Sequence, residues 1–380
     1  MKPEPIEGER VRLRLYRDSD VPDLVAACAD PEIRRFLPLL PHPVTEADAR
    51  WWIGEGSPTA WREGGAAYAI ADPATDRLLG AVGINHLVPV RRQGEVGYWV
   101  APWARGRGVA TEATRLLAAA AFGAELSRLE LLTHPENVAS QRVALAAGFQ
   151  REGVRRGAVL GPEGGRHDRV LWARLASDPP GPVRRLLPDL PGGQLTDGVV
   201  TLRPLAAQDV EAIYELHSLP DVVATSVPPV APDRTEIEAR CAHSASRWLA
   251  GERADLVIQD AATGAVAGDI GLYYQEPQTG QAMIGYSMLP GWRGRGYASR
   301  AARLVARWAF GTVGIARLVA GTLPTNVGSQ RVLEKAGFRR EGFQRDRLPS
   351  TGGGRVDDVL FALLPGDLTS ARPSRTSASI

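Results

Sequence analysis

Gly97-Tyr98-Trp99-Val100-Ala101-Pro102-Trp103-Ala104-Arg105-Gly106-Arg107-Gly108-Val109-Ala110 reads as a short apolar strand, a turn with two glycines between arginines, and the start of an alanine- and leucine-rich helix. A strand, a glycine turn and a helix N-terminus together aim several backbone N–H groups at one point, where an anion can sit. The stretch recurs as Gly285-Tyr286-Ser287-Met288-Leu289-Pro290-Gly291-Trp292-Arg293-Gly294-Arg295-Gly296-Tyr297-Ala298. From Gly97 to Phe122, 14 of 26 positions are identical to Gly285 through Phe310, so the chain is an internal duplication.

The rest of the chain follows in two copies. Val11 to Leu15 and Val200 to Leu205 alternate as strands, and Asp18-Ser19-Asp20 and Asp209 cap amphipathic helices running to about Ala29 and His217. Pro22 suits the first turn of its helix. Thr45-Glu46-Ala47-Asp48 and Thr235-Glu236-Ile237-Glu238 read as capping boxes, opening helices whose Trp51, Trp52 and Trp248 are expected as core anchors. Two strands joined by Asp/Pro/Gly-containing turns lead into each glycine turn. After each long helix comes a strand (Leu129 to Thr133; Leu318 to Thr322) and a short helix closed by Gly148 or Gly337. Last strands lie around Val170 to Leu175 and Val359 to Leu364.

The expected organisation is a mixed α/β unit at 1–178, a Pro/Gly-rich linker at 179–195, a second unit at 196–368 and a disordered tail at 369–380.

Composition excludes several classes. A net charge of +2 over 380 residues gives no field to gather nucleic acid or acidic membranes. Arginines are scattered, with Lys2 and Lys335 the only lysines. Cys28 and Cys241 fall in different copies without CxxC or Cys/His spacing, which suits a reducing, cytoplasmic setting and no cysteine nucleophile. The six histidines show no metal-ligand pattern. No apolar run approaches a membrane span.

A second motif follows each glycine turn: Asn137-Val138-Ala139-Ser140 ending in Gly148-Phe149, and Asn326-Val327-Gly328-Ser329 ending in Gly337-Phe338. From Thr133 to Gly153, 14 of 21 positions equal Thr322 through Gly342. With the Arg/Gln-x-x-Gly-x-Gly/Ala turn, matched by Arg105, Gly108 and Ala110 and by Arg293, Gly296 and Ala298, the chain resembles the GNAT superfamily of acetyl-CoA-dependent N-acetyltransferases. It is most similar to the Rim-type branch, which acetylates ribosomal-protein N-termini. The resemblance covers both copies. It implies two tandem domains, each with a mixed, mostly antiparallel central sheet flanked by helices.

The resemblance also implies roles. Arg105, Gly106, Arg107, Gly108, Val109 and Ala110, and in the second copy Arg293, Gly294, Arg295, Gly296, Tyr297 and Ala298, would bind the CoA pyrophosphate through backbone N–H groups and the helix dipole. The pantetheine arm would lie along Tyr98 to Val100, with Met288 at the matching position of the second copy. An N–H near Trp99 or Val100 would polarise the thioester carbonyl. Glu95 is the candidate base for the amine, and Ser140 the candidate acid for the leaving thiolate.

The residues alone also fit blander readings. Glu95 could be a solvated strand-end carboxylate, Ser140 a helix cap, and Asn137 either a cofactor contact or a cap. Asn326 and Ser329 repeat the pair. Asn85, His86, Trp99 and His134 lie at strand ends that could face an acceptor, although both histidines equally suit a surface.

The second copy carries Met283 where the first has Glu95, and neither Asp269 nor Glu276 occupies that strand position. The expected function is transfer of acetyl, or another short acyl group, from CoA to a primary amine by direct attack in a ternary complex. The acceptor is a protein N-terminus or a small molecule. The first copy is the expected catalyst, and both copies bind acyl-CoA. The alternative is a catalytically decayed acyl-CoA sensor or scaffold. A dinucleotide-binding oxidoreductase is disfavoured, because the turn lacks GxGxxG with a downstream acidic residue.

Overall fold

The structure is a computed structural model that describes residues 1–38, 40–161 and 164–369; the expected tail beyond 369 lies outside them. The chain forms two compact units, Met1–Arg184 and Arg185–Ile380.

The first unit contains strands β1 (Ile6–Glu7), β2 (Arg12–Arg14), β3 (Ala66–Ala71), β4 (Leu78–Val88), β5 (Gln93–Val100), β6 (Arg128–Thr133), β7 (Gln150–Leu160) and β8 (Arg166–Leu175). Their order in the sheet is β1-β2-β3-β4-β5-β6-β8-β7. Every pairing is antiparallel except β5 with β6. The helices are α1 (Val21–Cys28), α2 (Pro31–Phe36), α3 (Glu46–Trp51), α4 (Ser57–Arg62), α5 (Val109–Gly123) and α6 (Val138–Ala146).

The second unit repeats this plan with β9 (Leu195–Thr196), β10 (Val200–Pro204), β11 (Arg253–Asp260), β12 (Val266–Glu276), β13 (Gln281–Met288), β14 (Arg317–Thr322), β15 (Arg339–Pro349) and β16 (Arg355–Leu363). Its helices are α7 (Val210–Ser218), α8 (Pro220–Val223), α9 (Arg234–Leu249), α10 (Tyr297–Trp308), α11 (Val327–Ala336) and α12 (Pro365–Thr369).

Strand alternation splits each sheet into two faces. In the second unit Ile270, Leu272, Ala282, Ile284, Leu318 and Phe361 form a core with Ala301, Val305 and Trp308 of α10. On the opposite face Val257 packs with Ile213 of α7 and with Ile237 and Cys241 of α9. The first unit matches this arrangement: Ala69 and the partly buried Trp99 pack with Val21 and Leu24 of α1 and Ala49 of α3. Ion pairs in equivalent places, Arg14 on Asp20 and Arg203 on Asp209, tie β2 and β10 to the starts of the helices that follow.

Trp172 in β8 is fully buried and its Nε1 donates to Thr133 Oγ1 at 3.0 Å. Trp172→Phe is expected to lower the unfolding free energy of the first unit by about 2 kcal/mol in a urea titration. About half of that is the lost hydrogen bond and half the space left behind.

Several expectations change. Trp51 is 62% exposed rather than a core anchor, because α3 turns it outward; Trp52 packs edge-on against Tyr16. Trp248 is buried against Trp308 as expected. The second capping box starts at Asp233 rather than Thr235: Asp233 accepts from Thr235 N–H, and Glu236 reaches back to the Asp233 N–H. An aspartate at that point competes better for the cap than the threonine two residues later.

The breaker-rich stretch 179–195 is divided between the units. In the first unit Val183 N–H donates to the Leu145 carbonyl at 2.9 Å. In the second, Leu187 and Leu190 are buried and Trp248 Nε1 donates to the Pro188 carbonyl at 3.1 Å.

Candidate active site

The single parallel pairing creates the site. β5 and β6 are in register only at Gln93↔Arg128, Gly94↔Leu129 and Glu95↔Glu130. From Val96 to Val100, β5 has β4 on one edge and, among the described residues, no strand on the other. A row of open backbone N–H and C=O groups therefore lines a wedge between the strands, where an extended ligand arm can add as a strand does. Trp99 and Val100 lie on this open length. The second unit splays in the same way after Met283↔Val319, leaving Met288 on the open length of β13.

Beyond the wedge the glycine turn delivers the helix N-terminus. Gly106 and Gly108 have φ of +74° and +77°, and Gly294 and Gly296 have +74° and +82°. A Cβ at Gly106, Gly294 or Gly296 would meet nothing within 4 Å. Glycine is thus needed there for backbone conformation rather than for room. Gly108 and Gly296 are the N-caps of α5 and α10, and no side chain caps either helix. The first-turn N–H groups around Val109, Ala110, Tyr297 and Ala298 therefore stay available to an anion.

The loop arginines divide their work. Arg105 pairs with Asp30, the N-cap of α2, and Arg293 pairs with Asp221 at the start of α8. The guanidinium beside it holds the Asp30 carboxyl below the usual range. Each of these side chains ties the turn to a helix. Arg107 and Arg295 stay near the opening, Arg107 3.9 Å from Asp72 and Arg295 over the Trp292 ring. A cavity of about 300 Å³ beside the first turn is lined by Arg10, Asp72, Arg107 and Val109. Arg10 went unread in the sequence; its guanidinium comes within 2.9 Å of where a Gly108 Cβ would be.

Glu95 and Ser140 lie on opposite sides of the wedge. Glu95 is on the α1/α3 face with Gly97 and Trp99. Its carboxylate is 3.4 Å from His86 Nδ1 and sits in register with Glu130, which Arg128 and Arg155 neutralise. Burial raises its proton affinity above the ordinary 4.5, and Glu130 adds to this; His86 and Arg155 oppose it. A carboxylate so placed is a stronger base than a solvated one.

On the other face Asn137 is the N-cap of α6, its Oδ1 accepting from Ser140 N–H at 3.0 Å. Asn326 does the same for Ser329 at 3.0 Å. Both asparagines therefore take the capping option, and neither serine does. Instead the Ser140 hydroxyl lies 2.8 Å from the Tyr98 hydroxyl, and Ser329 lies 2.9 Å from Tyr286. Burial drives Tyr98 well above its ordinary value and Tyr286 up to about 12, so both phenols stay protonated. The tyrosines were missed because an aromatic in a strand reads as packing. The available signal was the Gly-Tyr pair repeated at Gly97-Tyr98 and Gly285-Tyr286.

Of the acceptor-side residues, Asn85 faces Glu95 across β4, with its Nδ2 3.4 Å from where a Gly97 Cβ would be. His134 stacks near Phe36, and its Nδ1 accepts from Glu136 N–H; burial lowers its proton affinity. His86 is exposed and reaches the site only through Glu95. Cys28 and Cys241 are buried free thiols, and burial pushes Cys241 up to about 11. Asp269 is bound by His217 at 2.9 Å and Arg240 at 2.8 Å. Burial alone would raise it, but the Arg240 guanidinium and the His217 contact hold it well below the usual range.

An anion cradle and an open strand edge thus lie side by side, with the Glu95 carboxylate on one face of the sheet and the Ser140 hydroxyl on the other. A family model described as "Acetyltransferase (GNAT) domain" matches residues 10–150 and 200–339. The chain belongs to this family and carries its domain twice.

Among curated relatives, "Probable N-acetyltransferase YjcK" of Bacillus subtilis (strain 168) is 42% identical over 86 residues, 23% of this chain and 48% of that protein. "Uncharacterized N-acetyltransferase YnaD" of the same organism is 28% identical over 170 residues, 45% of this chain and 96% of that protein. "[Ribosomal protein uS5]-alanine N-acetyltransferase" of Escherichia coli (strain K12) is 36% identical over 89 residues, 23% of this chain and 45% of that protein. The chain thus spans about half the length of the first and third of these. Among the described residues, no helix is long and apolar enough to cross a membrane.

Proposed function

We propose that this chain transfers an acetyl group from acetyl-CoA to a primary amine by direct attack in a ternary complex, with the first unit catalytic. The observation that carries the reading is the placement of Glu95 and the Tyr98–Ser140 pair on the two faces of an open strand edge that leads to an uncapped helix N-terminus. The N–H groups of residues 106–110, with Arg10 and Arg107, hold the pyrophosphate. The open edge of β5 from Val96 to Val100 holds the pantetheine arm, and its N–H groups near Trp99 and Val100 draw on the thioester oxygen.

Glu95 takes a proton from the ammonium, and the freed lone pair attacks the acyl carbon. As the C–S bond breaks, Ser140, polarised by Tyr98, gives a proton to the departing sulfur, and the second N–H proton of the new amide restores the Ser140 hydroxyl. Residues 293–298 repeat the cradle in the second unit, with Asn326 capping the helix that presents Ser329.

The acceptor we favour is a peptide α-amine, supported by the relative whose printed name is a ribosomal-protein alanine acetyltransferase. A reducing, cytoplasmic setting fits the two unpaired thiols. The test is thiol release from acetyl-CoA with alanine- and serine-starting peptides set against small amines. Faster release with peptides supports the reading. Acetyl-CoA binding without release on any amine would instead make the chain a sensor.

Tyr98→Phe removes the hydroxyl partner of Ser140 while keeping the ring. It is expected to slow thiol release in the first unit about tenfold and to leave the Kd for acetyl-CoA within about twofold, measured by stopped-flow and calorimetry.

A further inference from the structure

We infer that the second unit has its own amine-deprotonating carboxylate, Asp358, on a different strand from Glu95, buried directly behind the Gly321, Arg347 and Leu360 wall of a cavity that takes an alkylammonium group. The inference rests on the acetyl-transfer reading above and extends it to the unit that lacks the Glu95 carboxylate.

A cavity of about 170 Å³ opens where β13 and β14 separate, walled by Glu276, Met283, Val319, Gly321, Arg347 and Leu360. Asp358 in β16 shares the face of Leu360, opposite the core residues Val359 and Phe361. It is fully buried. Its carboxylate lies over Gly321, where a Cβ would fall 2.5 Å from Oδ2 and 2.6 Å from Oδ1. Oδ2 accepts from Arg347, and Oδ1 has no hydrogen-bond partner. A carboxyl oxygen buried without a hydrogen-bond partner is costly unless something supplies one. An ammonium entering from the cavity would do so.

The duplication shows that this arrangement is specific to the second unit. By sheet register, Gly321 and Asp358 stand where the first unit has Leu132 and Arg169. Met283 and Val319 stand where it has Glu95 and Glu130. The acid has thus moved across the wedge from β5 to the strand equivalent to β8, and a glycine opposite makes room for it. The apolar walls, Met283, Val319 and Leu360, suit the alkyl stem of a primary amine. Ser329 and Tyr286 wait on the other face of β13, as Ser140 and Tyr98 do in the first unit.

In the step proposed, Asp358 Oδ1 takes one proton from the ammonium and the nitrogen lone pair forms the C–N bond to the acyl carbon. The C–S bond breaks, the second N–H proton neutralises the thiolate, and Asp358 returns its proton to water. Arg347 on β15 pairs with Asp358, and the other charged groups at the cavity are Arg317 on β14, with its partner Glu341, and Glu276 on β12.

The test uses the full chain with Glu95→Gln, so that the second unit is read alone, with n-butylamine and acetyl-CoA. Adding Asp358→Asn is expected to lower thiol release about tenfold while calorimetry still counts two acetyl-CoA per chain. Asp358→Glu, which keeps a carboxylate at this place, is expected to restore most of the release lost in Asp358→Asn. A purely structural role for Asp358 would leave the rate per bound acetyl-CoA unmoved.

Equal release with and without Asp358→Asn, including none in either, overturns the inference, as does release in Asp358→Glu no higher than in Asp358→Asn. Loss of the second acetyl-CoA in Asp358→Asn would mark a folding defect, and release in Asp358→Glu then decides by itself. If the chain with Glu95 intact also releases no thiol, the acetyl-transfer reading itself has failed.

Discussion

Replacing Glu95 by Gln is expected to slow acetyl transfer in the first unit about 1,000-fold, close to 4 kcal/mol of transition-state stabilisation, without weakening acetyl-CoA binding. The measurement is thiol release in an Asp358→Asn chain, so that the second unit adds nothing, with calorimetric Kd alongside. The size is that of a lost general base, acting on an α-amine that is mostly protonated at neutral pH. Glutamine keeps the shape and one acceptor oxygen of Glu95 but cannot take a proton. Glu95 sits on the face opposite the Tyr98–Ser140 pair and away from the glycine turn, so the Kd has no reason to move.

The pH profile carries the same assignment. The base works only when ionised, and burial lifts its proton affinity above the ordinary 4.5. The acid limb of the rate therefore lies above that value, and the rate rises as pH climbs through it. His86 and Arg155 pull in the opposite direction, so removing either moves the limb to still higher pH. A rate unchanged by Glu95→Gln at every pH would remove Glu95 from the mechanism.

Much of this was legible in the sequence because the chain contains its own comparison. Gly97 to Ala110 beside its copy gave the turn, and Asn137 to Ser140 beside Asn326 to Ser329 gave the helix behind it. Together they gave the family and the two mixed sheets. What stayed hidden depended on neighbours distant in the chain. β7 escaped because Arg151, Arg155 and Arg156 interrupt its alternation; it lies at the sheet's end, where one edge and much of one face meet water. Tyr98 looked like an ordinary strand aromatic until its hydroxyl was placed on Ser140. Asp358 could not be singled out without knowing that Gly321 lies beneath it. Arg105 and Arg293 stand in a loop whose sequence implies binding through its backbone N–H groups, and the sequence did not show that their side chains reach Asp30 and Asp221.

That division of labour makes the glycines, rather than the arginines, the sensitive positions for donor binding. Gly296→Val is expected to reduce the calorimetric count of acetyl-CoA from two per chain to one, weakening the second site at least about 100-fold. At φ +82° a β-branched residue is strained by about 1–3 kcal/mol, and the turn escapes by rotating its N–H groups out of the cradle. A Cβ there meets nothing within 4 Å, so steric blockage cannot account for the loss.

Gly291→Ala supplies the control: it also has open space around its Cβ, but its φ is not positive, and binding at both sites should persist. Arg293→Gln separates the remaining possibility. If the guanidinium rather than the backbone held the pyrophosphate, this variant would match Gly296→Val. With Arg293 engaged by Asp221 and the Met288 carbonyl, it should instead weaken binding by only a few-fold, through a looser turn.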